Sequence, residues 1–97
     1  MGVVRLIYLS PELRMLTNRS EEQIAINERM TIVDVLRILG EKYGPSFAYL
    51  LFDSNGSLRA GVELFIDGAL VPNKDLKLEV GSNKEVSLIL ATPIGGG

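Results

Sequence analysis

The residue types that most often do chemistry are missing from this chain. Its 97 residues contain no histidine and no cysteine. Without histidine, the commonest general base and metal ligand is gone. Without cysteine there is no thiol nucleophile, no thiolate metal site and no disulfide framework. Neither a Ser-His-Asp nor a Cys-His arrangement can be built. The phosphate-cradling patterns GxxxxGK[ST] and GxGxxG do not occur. The carboxylates are scattered. Glu21-Glu22 and Lys84-Glu85 read as solvated charges, and Asp67, in a turn dipeptide with Gly68, reads as structural. No metal site is expected, and no catalysis by this chain alone.

What remains is the stretch Ala91-Thr92-Pro93-Ile94-Gly95-Gly96-Gly97. Glycine loses the most backbone entropy on ordering, so consecutive glycines favour neither helix nor strand. Pro93 has no N–H to give a sheet ladder. Fully extended, Thr92 to Gly97 reaches roughly 20 Å. Such a slim segment can thread a narrow channel and present one group, the carboxylate of Gly97. A carboxylate resists nucleophiles because it is anionic and its leaving group is poor. Adenylation supplies a good leaving group, and the acyl-adenylate then accepts sulfur or an amine. Gly97 is therefore the expected reactive residue, with Pro93, Ile94, Gly95 and Gly96 entering the channel of an activating enzyme. That enzyme would consume ATP; the chain itself would bind no cofactor. The bland counterpart is a frayed end or a linker of the same composition.

Such a tail needs a folded handle. The length fits one domain with a single core, and 46% hydrophobic with 23% charged residues is a globular composition. A net charge of −2 argues against nucleic-acid binding. No apolar run approaches the length of a membrane span and the N-terminus lacks a signal-peptide layout, so a soluble cytoplasmic protein is expected, with no membrane partner.

Val3-Val4-Arg5-Leu6-Ile7-Tyr8-Leu9 reads as a central strand. Glu12 to Met15 could form a helical turn. Glu22 to Asn27 alternates polar and apolar, as a half-buried strand does, and should pair with the first strand. Thr31 is a helix N-cap with Asp34 at capping-box spacing. Ile32, Val35, Leu36, Leu39 and Tyr43 give one apolar face, Gly44 a left-handed cap and Pro45 a stop. Ser46 to Gly61 can be read as a short helix or an irregular strand. Val62 to Ile66 is a strand, Asp67-Gly68 a hairpin turn and Ala69-Leu70-Val71 the return. Leu76 and Leu78 should cover the bottom of the core. Glu85 to Ala91 closes the chain as a second central strand beside the first. The expected fold is α+β, a β-grasp: a mixed sheet with one main helix, about Thr31 to Tyr43, packed across it. Residues 1–91 are expected to form the domain and 92–97 its tail. Leu6, Ile24, Ile26, Val35, Leu36, Leu39, Ile66, Leu88 and Leu90 are the expected core. Phe65, pointing away from Leu64 and Ile66, is the expected partner contact on the open sheet face; the competing reading buries that face under Phe47 to Phe52.

These segments together resemble the ubiquitin-like sulfur carriers (MoaD-like and ThiS-like), above all the small subunit of molybdopterin synthase in its archaeal-type branch. The likeness runs through Val4-Arg5-Leu6-Ile7-Tyr8-Leu9 with Leu13-Arg14, and through Thr31-Ile32-Val33-Asp34-Val35-Leu36. It continues in Ile66-Asp67-Gly68, where the family has valine-asparagine-glycine, and in Pro93-Ile94-Gly95-Gly96-Gly97, where it has proline-valine-alanine-glycine-glycine. Ser82-Asn83-Lys84-Glu85-Val86 and Thr92-Pro93 depart from the family's glycine-aspartate-glutamate-valine and double proline. The resemblance implies adenylation by a ubiquitin-activating-type enzyme and a thiocarboxylate on Gly97. It further implies sulfur donation in a complex with the large synthase subunit, for molybdenum cofactor biosynthesis. Ubiquitin-like modifiers joined through Gly97 to lysines share the same tail and are the alternative. A plain β-grasp interaction module with an inert tail is the third reading.

Overall fold

The computed structural model describes residues 2–27, 29–72, 75–81 and 84–90, with backbone alone for 88–90. Its elements in chain order are β1 (Gly2–Tyr8), α1 (Pro11–Thr17), β2 (Glu21–Ile26), α2 (Ile32–Tyr43), α3 (Pro45–Leu51), β3 (Val62–Ile66), β4 (Ala69–Leu70) and β5 (Glu85–Leu90). The strands form one mixed sheet in the order β2-β1-β5-β3-β4. β1 pairs antiparallel with β2 and parallel with β5, and β5 pairs antiparallel with β3. First and last strands are thus neighbours in the middle of the sheet, as their apolar runs lead one to expect.

The period of two sorts the strands cleanly. Val4, Leu6 and Tyr8 of β1 point into the core while Val3 and Arg5 face solvent. Ile24 and Ile26 of β2 do the same opposite Gln23 and Ala25. Against this inner face α2 lays Ile32, Val35, Leu36 and Leu39, all buried. Its start is fixed by a complete capping box. The Thr31 hydroxyl accepts from the Asp34 N–H at 3.3 Å, and the Asp34 carboxylate accepts from the Thr31 N–H at 2.9 Å. The next two orphan donors are met by the loop after β4: Ile32 N–H gives to Leu78 O and Val33 N–H to Leu76 O, each at 3.0 Å. The first turn of the helix therefore has a partner for every donor, side chain for Thr31 and Asp34 and backbone for Ile32 and Val33.

Four local expectations change. The turn at Glu12–Met15 is a full helix, α1, started by Pro11 and ended by Asn18 in the left-handed region. Gly44 has φ 88° but ψ −173°, so it is no left-handed cap. It swings the chain outward, and Pro45, rather than only stopping α2, becomes the first residue of α3. The ambiguous stretch Ser46 to Gly61 begins as that helix, which sends Phe47 and Leu51, four residues apart, into the same core as α2, and continues after Leu51 as a turn closed by a Phe52–Leu58 bridge. Leu78 is 39% exposed, and Val71 and Val80 close the core where it was expected; Leu76 is half-buried against them. Of the expected core, Leu6, Ile24, Ile26, Val35, Leu36 and Leu39 are buried and Ile66 is only half-buried. The side chains of Leu88 and Leu90 lie outside the described residues, as does Ala91.

Candidate functional site

β5 ends in the centre of the sheet, and everything around its root is built to hold it there. Its start is knotted to the β3–β4 turn. Asp67 and Gly68 both have positive φ, 51° and 84°, the two-residue geometry that twists with the strands. The Asp67 N–H gives to Glu85 O at 2.8 Å, while its carboxylate accepts from the Glu85 N–H at 2.9 Å and pairs with Lys84 at 3.2 Å. The Glu85 N–H bond, and then Lys84, hold this carboxyl below its ordinary range. Asp67 is accordingly structural, as the sequence reading has it. On the other flank the Arg5 N–H binds Lys84 O at 3.0 Å.

The outer sheet face above this root carries a row set by register. Ile7 lies opposite Ser87, Ser87 opposite Phe65 and Phe65 opposite Leu70, so one line crosses β1, β5, β3 and β4. Ser87 is buried, Ile7 and Phe65 are half-buried and Leu70 is 55% exposed. Phe47 and Leu51 join the core under the inner face, together with half-buried Leu50 and Phe52. Phe65 is not among the side chains packed on that core. Beside the row, Arg5 bridges Glu21 at 2.8 Å and Glu85 at 3.3 Å. Glu21, first, and Glu85 raise its pKa. The expected site residues Pro93, Ile94, Gly95, Gly96 and Gly97 lie outside the described residues. So of the expected site the structure describes Phe65 and the strand that precedes the tail.

One reading is overturned. Glu22 is not a solvated charge: its side chain is 2% exposed. The Tyr8 hydroxyl donates to it at 2.6 Å, the Tyr43 hydroxyl and Lys42 Nζ donate to it as well, and Arg19 lies 3.7 Å away. Burial alone would push this carboxyl up; Lys42, Tyr43 and Tyr8 outweigh it, and the pKa falls below the ordinary value. Burial, then Glu22, drive the Tyr8 phenol well above its own. The signal was present in the sequence. Glu22 is in phase with Ile24 and Ile26, so an alternating strand must turn it inward. Tyr43, at the end of α2, sits over Phe47 of α3 with ring centroids 5.7 Å apart. The hub thus ties both helices to β1 and β2. It is saturated: among the described residues no buried side-chain polar atom lacks a partner. Nor do any described residues cluster as a metal site, and no helix among them is long and apolar enough to cross a membrane.

No protein-family model and no curated protein matches the sequence. Solved structures do match the architecture. The small archaeal modifier protein 1 of Haloferax volcanii superposes with a TM-score of 0.82 at 14% identity, over 95% of this chain and 100% of that one. A Pyrococcus furiosus protein described as a molybdopterin converting factor, subunit 1, gives 0.74 at 18%, over 95% and 100%. Urm1 of Trypanosoma brucei gives 0.77 at 15%, over 98% and 96%. At these identities the likeness speaks for the fold, and it agrees with the strand order and the helix across the sheet. The chain has the ubiquitin-like β-grasp fold that these modifier and converting-factor proteins share.

Proposed function

We propose that this chain is a sulfur carrier whose Gly97 carboxylate is adenylated and converted to a thiocarboxylate, as the small subunit of a cytoplasmic molybdopterin synthase. The observation that carries the reading is the position of β5. A strand held on both flanks, by β1 and β3, leads directly into a sequence of proline, isoleucine and glycines. The converting-factor neighbour supports the same pathway. In this reading a ubiquitin-activating-type enzyme attacks ATP with the Gly97 carboxylate and releases pyrophosphate. Sulfur from a donor then displaces AMP. The apolar row through Phe65 meets the activating enzyme and, after it, the large synthase subunit. Close enclosure of Pro93 to Gly96 keeps water from the acyl-adenylate.

The test is intact mass after incubation with the activating enzyme, ATP and a sulfur donor. The wild-type chain should exchange one oxygen for sulfur. Deleting Gly97, or adding an alanine after it, should abolish the exchange, because a misplacement of about 1 Å can cost on the order of a hundredfold in rate. Equal exchange in all three proteins would remove Gly97 from the chemistry. The modifier reading is favoured by the archaeal modifier neighbours. It would be adopted if the same mixture, supplied with cell extract, gave adducts on lysines and no thiocarboxylate.

A further inference from the structure

The face of the molecule away from the open sheet carries a feature that sulfur transfer does not use. α2 and α3 diverge from Gly44 and leave an open groove of about 540 Å³, lined by Val33, Leu36, Gly40, Pro45, Ala48 and Phe52. Its wall is apolar apart from the α2 rim, where Arg37 and Glu41 stand one turn apart.

Gly40 is the informative residue. It lies inside α2 and is absent from the positive-φ glycines, so its backbone does not need glycine. A Cβ built on it would meet nothing within 4 Å, so the packing of this chain does not need glycine either. Yet glycine weakens a helix interior relative to alanine. What glycine does at this place is lower the groove floor. The distance between packed helices depends on the side chains at the crossing, and a glycine there allows close approach.

The walls also restrict what can lie in the groove. Both are helices whose backbone groups are spent internally or at their caps, as in Gly44 N–H to Gly40 O and Phe52 N–H to Ala48 O, each 2.8 Å. An extended peptide would find no backbone partners on such walls. A helix brings its own. Val33 to Gly40 spans about 10 Å, two turns of a partner helix, which suits anchors at i, i+3 or i+4, and i+7. The charge is decided too. Asp34 holds Arg37 at 3.4 Å, and the Asp53 carboxylate at the far end accepts from the Asn55 and Ser57 N–H groups. Glu41 has no ion pair among the described residues. We propose that the α2–α3 groove docks an amphipathic helix of a partner protein, with apolar anchors over Gly40 and a lysine or arginine against Glu41.

The probe is a displayed library of helical hairpins with one randomised face, selected on the full chain alone and then measured against Gly40→Trp, whose side chain projects into open space and should not lower the melting temperature. Recovered binders should lose at least tenfold in affinity on Gly40→Trp and carry lysine or arginine beside their apolar positions. Glu41→Lys should switch the selected charge to acidic. In the wild-type chain their amide shifts should concentrate at Val33, Gly40 and Ala48 rather than at Phe65 and Leu70, a readout that needs no variant. Binders that are indifferent to Gly40→Trp, that are acidic on wild type, or that shift the open sheet face would overturn the proposal. So would a wild-type dimer that Gly40→Trp converts to monomer, since the occupant would then be a second copy.

Discussion

At the scale of single residues, Glu22 shows how a charge can belong to a core. Lys42 and Arg19 are about half exposed and can return to water at little cost if their partner is removed. Tyr8 cannot, since it is fully buried. Glu22→Ala should therefore destabilise chiefly through the orphaned Tyr8 hydroxyl, by about 1–3 kcal/mol, and Glu22→Gln, which keeps an acceptor, by less. Urea unfolding at neutral pH measures both. The two ionisations bound stability from opposite sides. Glu22 is held below its ordinary value near 4.5, so the unfolded chain takes up the proton first. Its contribution is complete above that value and drains away as pH falls through the lowered one. Tyr8 is raised above its ordinary 10, so the unfolded chain ionises first, and stability is complete below pH 10 and lost above it. Glu22→Gln should flatten the acid limb. On the alkaline side the Tyr8 phenolate absorbance should rise only together with unfolding. The alternation of β2 made the inward direction of Glu22 legible; its partners were not, because Tyr8, Lys42 and Tyr43 reach it only through tertiary packing.

Elements differ in how plainly their sequences announce them. α2 has a cap pattern, a face and a terminal glycine, and it forms where those signals lie. α3 has only seven residues. Too short for its periodicity to separate helix from strand, it becomes a helix because Pro45 suits a first turn and because Phe47 and Leu51 fill the core beside Tyr43. Glycines sort in the same way. Gly68 is needed at φ 84°, and Gly68→Ala should cost roughly 1–2 kcal/mol, the penalty of a left-handed side chain. Gly40 is not needed by the fold, and Gly40→Ala should instead stabilise by about 0.5–1 kcal/mol. Thermal unfolding of the two variants should move in opposite directions. If Gly40→Ala is destabilising, the glycine has an internal packing role and the groove argument loses its main support.

For the molecule as a whole, the central pairing of first and last strands was legible in their apolar runs. The row from Ile7 to Leu70 was not, because it depends on the registers of three separate strand pairs. Phe65→Asp should weaken binding to the activating enzyme while leaving the fold intact, with a modest loss of melting temperature for the half-buried ring. Unfolding by this variant would assign Phe65 to the core. The same sheet has a mechanical consequence. β1 and β5 run parallel side by side, from Arg5 opposite Glu85 to Tyr8 opposite Leu88. Opposed forces applied at Gly2 and Leu90 therefore slide the two strands along each other, and their cross-strand bonds bear load together instead of opening one at a time. Because β3 grips β5 from the other side, a machine that hauls on this end of the domain must break two ladders at once. A force applied across β3 and β4, joined by a tight turn, would unzip them bond by bond. Pulled from β1 and β5, the domain should resist extraction far better than its modest size suggests.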